Sequence, residues 1–337
     1  MPVNPAKPAS DTSAQDLANG LIYCQAEDLF ALKPLGQKLQ LEQTRTSHSM
    51  MAGVIRTRYK GRGMSFAEVR PYQAGDDIRT IDWRVTARTQ TPYTKLFEEE
   101  RERPVYLLID MRSSMFFGSQ HQFKCVYAAR MATAIAWAAL AKGDNIGAMI
   151  LSDHGEWDLR PKRGKNAVLA LINALVEANQ RLSNPAAPSG RSLQGFLDDA
   201  KRIVRPGAKV YVLSDAHDHA EGNINSVLCT LARHADITFI HIYDTLEAQL
   251  PSKGWFSVSD GFERTQVNGR TISQRFKDHF TASQAAIAGA LTQSMSLGLS
   301  APVGPDLEGW LIDTFGKGRT KRKSAPTMTT ANRTEAK

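Results

Sequence analysis

From residue 105 onward the apolar positions fall into a regular alternation of short continuous runs and longer amphipathic stretches. The first run, 105–109, is five apolar residues ending on Asp110, which predicts a strand buried on both faces of a parallel sheet. A turn follows, and the long Ala-rich stretch 122–141 predicts a helix whose small residues suit close packing on that sheet. Residues 145–151 predict the next strand, with 154–160 as a short extra strand beside it, and 165–179 and 192–204 predict helices. A second buried run, 209–213, again stops at a carboxylate, Asp215, and is followed by a helix at 223–234 and a strand at 237–243 ending at Asp244. Strands alternating with helices predict an α/β fold, a doubly wound and mostly parallel sheet of the Rossmann type, with ligand groups beyond the carboxyl ends of the strands. Further on, 254–269 alternates weakly and has turn chemistry at Asn268 and Gly269, so a hairpin is expected there. A helix at 272–296 and a segment at 302–315 packing back on the sheet complete the pattern.

Upstream the pattern is different. Residues 1–15 are polar, and 16–41 carry an amphipathic helical pattern broken at Pro34 and Gly36. Residues 49–103 are dense in Arg, Gly, aromatic and acidic residues, with little continuous apolar surface. The expected organisation is an N-terminal flexible or helical extension (1–48), a charged accessory segment (49–104), the α/β domain with its hairpin and last helix (105–316), and a basic disordered tail (317–337).

Composition narrows the class. At 337 residues, 42% hydrophobic and 23% charged, the chain can bury a sizeable core. Its three cysteines, Cys24, Cys125 and Cys229, are far apart and form no CxxC or Cys/His cluster, so they read as reduced thiols. The start has no apolar h-region, and the longest apolar stretch, 131–141, is far short of the roughly 20 residues that cross a bilayer, so a cytoplasmic protein with no membrane span is expected. The net charge of +8 is concentrated in 317–337, which holds seven Lys or Arg against one Glu. A short solvated basic end explains the excess, and nucleic acid is not the expected partner.

No GxxxxGK[ST] and no strand-linked GxGxxG occurs, so the usual backbone cradles for nucleotide phosphates are missing; GxSxG and HExxH are missing too. What stands out is the pair of strand-terminal carboxylates. Asp110 is followed by Met111, Arg112, Ser113 and Ser114; Asp215 comes about a hundred residues later; Gly190, Arg191 and Ser192 open a helix between them. In a doubly wound sheet these three loops converge on one edge, where carboxylates and hydroxyls suit a hard divalent cation, Mg²⁺ or Mn²⁺. The plainer reading is that the Asp residues cap helices and turns.

This order of loops resembles the von Willebrand factor A domain, whose metal-ion-dependent adhesion site uses DxSxS on the first loop, a Thr on the second and an Asp on the third. The resemblance places Asp110 and Ser114 at the outer first-loop positions, Ser192 at the Thr position and Asp215 at the last. Arg112 departs from it, standing where the first Ser supplies an oxygen. Either Ser113 substitutes by a small loop shift, or the guanidinium takes the place of the metal by pairing with Asp110 or Asp215. The nearby run Asp215, Ala216, His217, Asp218, His219 has ligand-type side chains for a transition metal but reads better as a solvated loop.

A second resemblance is more specific. The run FAEVRPYQAGDDIRTIDWRVTARTQTPYTKLFEEERERPVYLLIDMRSSMFFG is similar to the signature of the bacterial domain-of-unknown-function family fifty-eight, in which such a segment precedes an A-like domain. The resemblance implies an accessory or adaptor role beside a MoxR-type AAA+ ATPase, with chaperone-like assembly or maturation of a client complex as the kind of task. Within the signature, Gly75, Asp76 and Asp77 read as a turn, and Asp82, Trp83, Arg84 and Arg88 as an aromatic anchor among opposite charges. Ion pairs of Asp77, Arg79, Asp82 and Arg84 that fasten the segment to the A-like domain are the plainer expectation, with Arg70, Arg79 and Arg88 as a partner-facing patch the alternative. The expected function is therefore a non-enzymatic interaction module. Its rivals are a metal-assisted hydrolase using Asp110 and Asp215, which lacks an evident general base, and a nucleic-acid binder using the basic segments, which lacks a module to read bases.

Overall fold

The structure, a computed structural model, describes residues 20–41, 56–57, 64–73, 76–99, 104–182, 190–219, 224–259 and 264–316. It divides into two units, Arg45–Arg103 and Met1–Thr44 together with Pro104–Lys337. Gly75 and the basic tail lie outside the described residues.

The larger unit begins with two short helices, α1 (Ala26–Ala31) and α2 (Lys33–Lys38). Pro34 sits in the first turn of α2, where its missing N–H breaks no hydrogen bond. Gly36 lies inside α2, and a Cβ there would run into the Trp137 Cβ and the Ala134 carbonyl, so glycine is what lets the two segments approach. Cys24, Leu29, Leu35, Leu39 and Leu41 are buried, and the Trp137 indole donates to the Leu29 carbonyl at 3.3 Å. What the sequence suggested as an extension is, over its described residues, part of the core.

The smaller unit is a three-stranded antiparallel sheet, order β1-β3-β2, of β1 (Arg56–Thr57), β2 (Met64–Pro71) and β3 (Tyr93–Glu99). Helix α3 (Trp83–Thr89) is inserted between β2 and β3. No strand was expected here, because charged residues and glycines interrupt every apolar run. Pairing between β2 and β3, not hydrophobic pattern, defines these strands: it runs from Met64↔Glu99 to Pro71↔Tyr93 with one register shift between Phe66 and Glu68.

From Pro104 the larger unit continues through β4 (Val105–Asp110), α4 (Lys124–Lys142), β5 (Ile146–Ser152), β6 (Gly155–Lys162), α5 (Lys165–Arg181) and α6 (Leu193–Ile203). Then come β7 (Lys209–Ser214), α7 (Ile224–Ala232), β8 (Asp236–Tyr243), α8 (Thr245–Ala248), β9 (Trp255–Ser259) and β10 (Arg264–Asn268). Helix α9 (Gly269–Gln293), β11 (Leu297–Pro302) and α10 (Leu307–Phe315) close it. The six-stranded sheet has the order β11-β8-β7-β4-β5-β6, parallel except for β6, which runs antiparallel to β5. This is the expected α/β class, a doubly wound, mostly parallel sheet, whose strand order reverses between β4 and β7.

Alternation along each strand divides the core between the two faces. Val105, Leu107 and Ile109 face one cluster, with α1, α2, α4, α5 and α10; Tyr106 and Leu108 face the other, with α6, α7 and the end of α9. Strand β11, LGLSAP, escapes a hydrophobic-run reading because Gly298 and Ser300 interrupt it. The hairpin exists as β9 and β10, but its expected turn residues, Asn268 and Gly269, lie at the far end: Asn268 caps α9 through the Arg270 N–H and Gly269 begins that helix. Among the described residues no helix is long and apolar enough to cross a membrane.

Candidate functional site

Parallel pairing of β4 with β7 brings Asp110, the last residue of β4, beside Ser214 and Asp215 at the end of β7. The order reversal leaves a crevice at this point, which the loop after β4, the start of α6 and the loop after β7 surround. The three loops do converge as the sequence suggested. What joins them is a cation, the guanidinium of Arg112.

Arg112, at the position that the sequence resemblance gives to a hydroxyl, turns its side chain inward and is buried. Nε donates to Asp110 Oδ1 at 2.9 Å and Nη2 to Asp110 Oδ2 at 2.7 Å. On its other edge, Nη1 donates to Asp218 Oδ2 at 2.8 Å and Nη2 to Asp218 Oδ1 at 3.1 Å. Nη1 also reaches the Arg191 carbonyl at 3.2 Å, and the Leu193 N–H donates to Asp218 Oδ2 at 2.8 Å, which ties in the start of α6. Asp110 further accepts from the Arg112 N–H at 3.1 Å and the Ser214 hydroxyl at 2.7 Å, so four donors converge on its two oxygens. Burial works against the charge of Arg112, but its hydrogen bonds to Asp110 and Asp218 outweigh that and hold the guanidinium firmly protonated. Burial likewise pushes the Asp218 carboxyl up, and Arg112 and the Leu193 N–H bring it below the usual carboxylate range. Asp110 is raised by burial, with Arg112 and Ser214 pulling toward the ionised form.

A second internal cation holds Asp215. Lys124, the first residue of α4, is buried and donates from Nζ to Asp215 Oδ2 at 2.9 Å and to Glu247 Oε1 at 2.6 Å. A lysine at a helix N-terminus is unfavourable against the helix dipole, and the two carboxylates offset this. Asp215 also accepts from the His217 N–H at 3.1 Å and the Ser114 hydroxyl at 3.3 Å. Burial opposes ionisation of Asp215, yet Lys124 brings its pKa below the ordinary value; Lys124 in turn is raised, the pull of Asp215 and Glu247 exceeding its own burial penalty. Beneath them His241 of β8 has one ring nitrogen, Nε2, 3.0 Å from the Asp215 carbonyl, and burial lowers its pKa to about 4. Neutral His241 therefore donates from Nε2, and Nδ1 is buried with no partner among the described residues.

Against the sequence expectations, the site both agrees and departs. Asp110, Arg112, Ser114 and Asp215 meet at one edge. Ser113 is exposed, and its backbone N–H, not its hydroxyl, is engaged, by Asp153 Oδ2 at 2.7 Å. Ser192 is turned away from a ligand role: its hydroxyl caps α6 by accepting from the Gly195 N–H at 3.1 Å. Arg112 pairs with Asp110 as one expectation had it, but its second partner is Asp218, not Asp215. The stretch 215–219 is not a solvated loop, since Asp215, Ala216 and Asp218 are buried and only His217 is exposed. Lys124, Glu247 and Asp218 were missed. Lys124 had a readable signal, a lone cation opening an apolar helix with no acidic residue in its first turn.

These residues do not fit a divalent cation. Both oxygens of Asp110 are saturated by donors, and a metal there would have to expel the guanidinium from between Asp110 and Asp218. Among the described residues no group of three or more His, Cys, Asp and Glu is placed to hold a metal.

Within the smaller unit the signature residues make local contacts. Arg70 pairs with the buried Asp76 at 2.8 Å. Asp77 accepts from the Arg79 N–H, and Asp82 from the N–H groups of Arg84 and Val85, so both carboxylates cap helical turns. Trp83, expected as an anchor, is 67% exposed.

A family described as "Protein of unknown function DUF58" matches residues 68–288. Uncharacterized proteins of Mycobacterium bovis and of Mycobacterium tuberculosis (strain H37Rv) are each 28% identical over 230 residues, which is 67% of this chain and 69% of the relative. Two solved structures are similar at low score: the conserved hypothetical protein BatB of Bacteroides thetaiotaomicron (TM-score 0.34, 11% identity, 61% of this chain and 94% of that one) and a von Willebrand factor type A structure from Catenulispora acidiphila (TM-score 0.33, 13% identity, 64% and 42%).

Proposed function

The chain belongs to the DUF58 family, and from that premise we propose that it is a non-enzymatic, cytoplasmic interaction module that acts beside a MoxR-type AAA+ ATPase. In this reading the carboxyl edge of the sheet is a docking face whose loops are fixed by internal cations in place of a bound metal. One observation carries it: Arg112 bridges Asp110 and Asp218 where an adhesion-type site would seat its ion. A buried, bidentate guanidinium is permanently charged and cannot diffuse away, so the face is held in one arrangement whatever the divalent cation concentration. The same saturation argues against a hydrolase built on Asp110 and Asp215, since each carboxylate is occupied by a cation and by further donors. Chemical energy would come from the ATPase, with client assembly or maturation as the task.

The test is affinity purification of the tagged full chain from its native host, with ATP and without. Recovery of a MoxR-type ATPase in a nucleotide-dependent amount supports the reading. Its absence from both eluates removes the ATPase from it.

A further inference from the structure

The smaller unit carries a group of side chains that the site above does not use. Arg79, Arg84 and Arg88 are exposed, and none of their guanidinium groups has an ion-pair or hydrogen-bond partner among the described residues. Of the carboxylates adjacent in sequence, Asp77 and Asp82 accept from backbone N–H groups and Asp76 pairs with Arg70. Next to the arginines in sequence, Ile78 is 64% and Trp83 67% exposed. On α3, residues 83, 84, 87 and 88 are all exposed, and the helical repeat puts them on one face. Trp83, Arg84 and Arg88 thus share one side of α3, and the turn just before it adds exposed Ile78 and Arg79, none of the three guanidinium groups having a partner among the described residues.

We propose that the exposed side of α3 with Trp83, Arg84 and Arg88, together with Ile78 and Arg79 of the turn before it, is a docking surface for an acidic segment of a partner protein that also supplies an apolar side chain. Arg and Trp are the residue types that most often dominate protein interfaces, and uncompensated positive charge selects a negative partner. A second copy of the chain is disfavoured, because a symmetric contact would set arginine against arginine. Nucleic acid would use the arginines but leaves Ile78 without a role. The inference rests on the interaction reading above and names the surface through which a partner is held, without depending on that partner being an ATPase.

The experiment places the photo-crosslinker p-benzoylphenylalanine at Ala87 of the full chain, expressed in its native host, with Thr292 of α9 as the control position. The expected result is a protein adduct at position 87 whose crosslinked peptide is net acidic, reduced roughly ten-fold by Arg84→Glu with Arg88→Glu and by Trp83→Ala. Because these side chains are exposed, the variants should keep the unfolding midpoint of the wild type, and far-ultraviolet circular dichroism checks this. The proposal is overturned by no adduct above the control, by an adduct unaffected by charge reversal, by crosslinks to nucleic acid, or by crosslinks confined to the chain's own larger unit. An acidic partner that is not an ATPase would sustain this surface and remove the ATPase reading. An ATPase recovered by affinity purification without any adduct would do the reverse.

Discussion

Arg112 holds Asp218 by two parallel hydrogen bonds, Nη1 to Oδ2 at 2.8 Å and Nη2 to Oδ1 at 3.1 Å, while its other edge holds Asp110. One side chain thus joins the end of β4 to the loop after β7, more than a hundred residues away in sequence. Replacing Arg112 by Leu leaves two buried carboxylates without their cation, and the expected cost is about 3–5 kcal/mol in denaturant unfolding. Adding Asp110→Asn and Asp218→Asn to Arg112→Leu should recover part of that loss. A triple variant less stable than the single one would show that the charges are not what binds these loops.

Lys124 makes the corresponding pair with Asp215. Lys124→Met is expected to destabilise by about 3–5 kcal/mol, and Asp215→Asn in the same chain to recover part of it, because the carboxylate is harmful only when its cation is gone. Strictly additive losses in the double-mutant cycle would contradict the coupling.

Acid stability has a readable sign. Burial lowers the His241 pKa from the ordinary 6.5 to about 4, so as pH falls below 6.5 the unfolded chain takes up a proton that the folded chain refuses. Stability is therefore full above 6.5 and lost progressively down to about 4, by on the order of 3 kcal/mol. Asp215 and Asp218 are depressed, so their contribution is present above the ordinary carboxylate range and lost as pH falls through their lower folded values. His241→Gln keeps a donor toward the Asp215 carbonyl and removes the titration. Unfolding measured at several pH values should show the slope between 6.5 and 4 flatten in this variant; an unchanged slope would place the titrating group elsewhere.

Gly36→Ala tests the docking of α2 on α4. Alanine favours helix by about 1 kcal/mol over glycine, but here its Cβ meets the Trp137 Cβ and the Ala134 carbonyl, and overpacking of that kind costs about 1–3 kcal/mol. A lower unfolding midpoint is expected. A rise would mean that residues 20–41 do not hold this contact.

How much of this was legible in the sequence depends on what each feature is made of. The sheet strands at 105–110 and 209–214 announce themselves because strands buried on both faces are continuous apolar runs, and both stop at the crevice where the doubly wound order reverses. Arg112 was visible as a departure from a pattern. Its partner Asp218 was not, because which carboxylate a guanidinium reaches depends on how the loop after β7 folds back, and Ala216 at φ 50 turns that loop inward. The small sheet was hidden for another reason: the adjacent pairs Phe66-Ala67, Leu96-Phe97 and Glu98-Glu99 break the period-two alternation that marks a strand, and pairing between β2 and β3 defines these segments. Asp77 and Asp82, read in the sequence as ion-pair partners, are each also the short acceptor just before a helical turn, a capping signature that was available in the sequence.

The most direct measurement is a calorimetric titration of Mg²⁺, repeated with Mn²⁺, into the full chain and into Arg112→Ser. Internal occupancy by Arg112 predicts no binding heat for the wild type and no rise in its unfolding temperature with metal, since a ligand stabilises only in proportion to its binding. Arg112→Ser unmasks Asp110 and Asp218 and supplies a hydroxyl, so it should be less stable without metal and regain stability with it. Tight Mg²⁺ binding by the wild type, lost in Asp110→Ala, would contradict the account and restore an ordinary metal-dependent adhesion site.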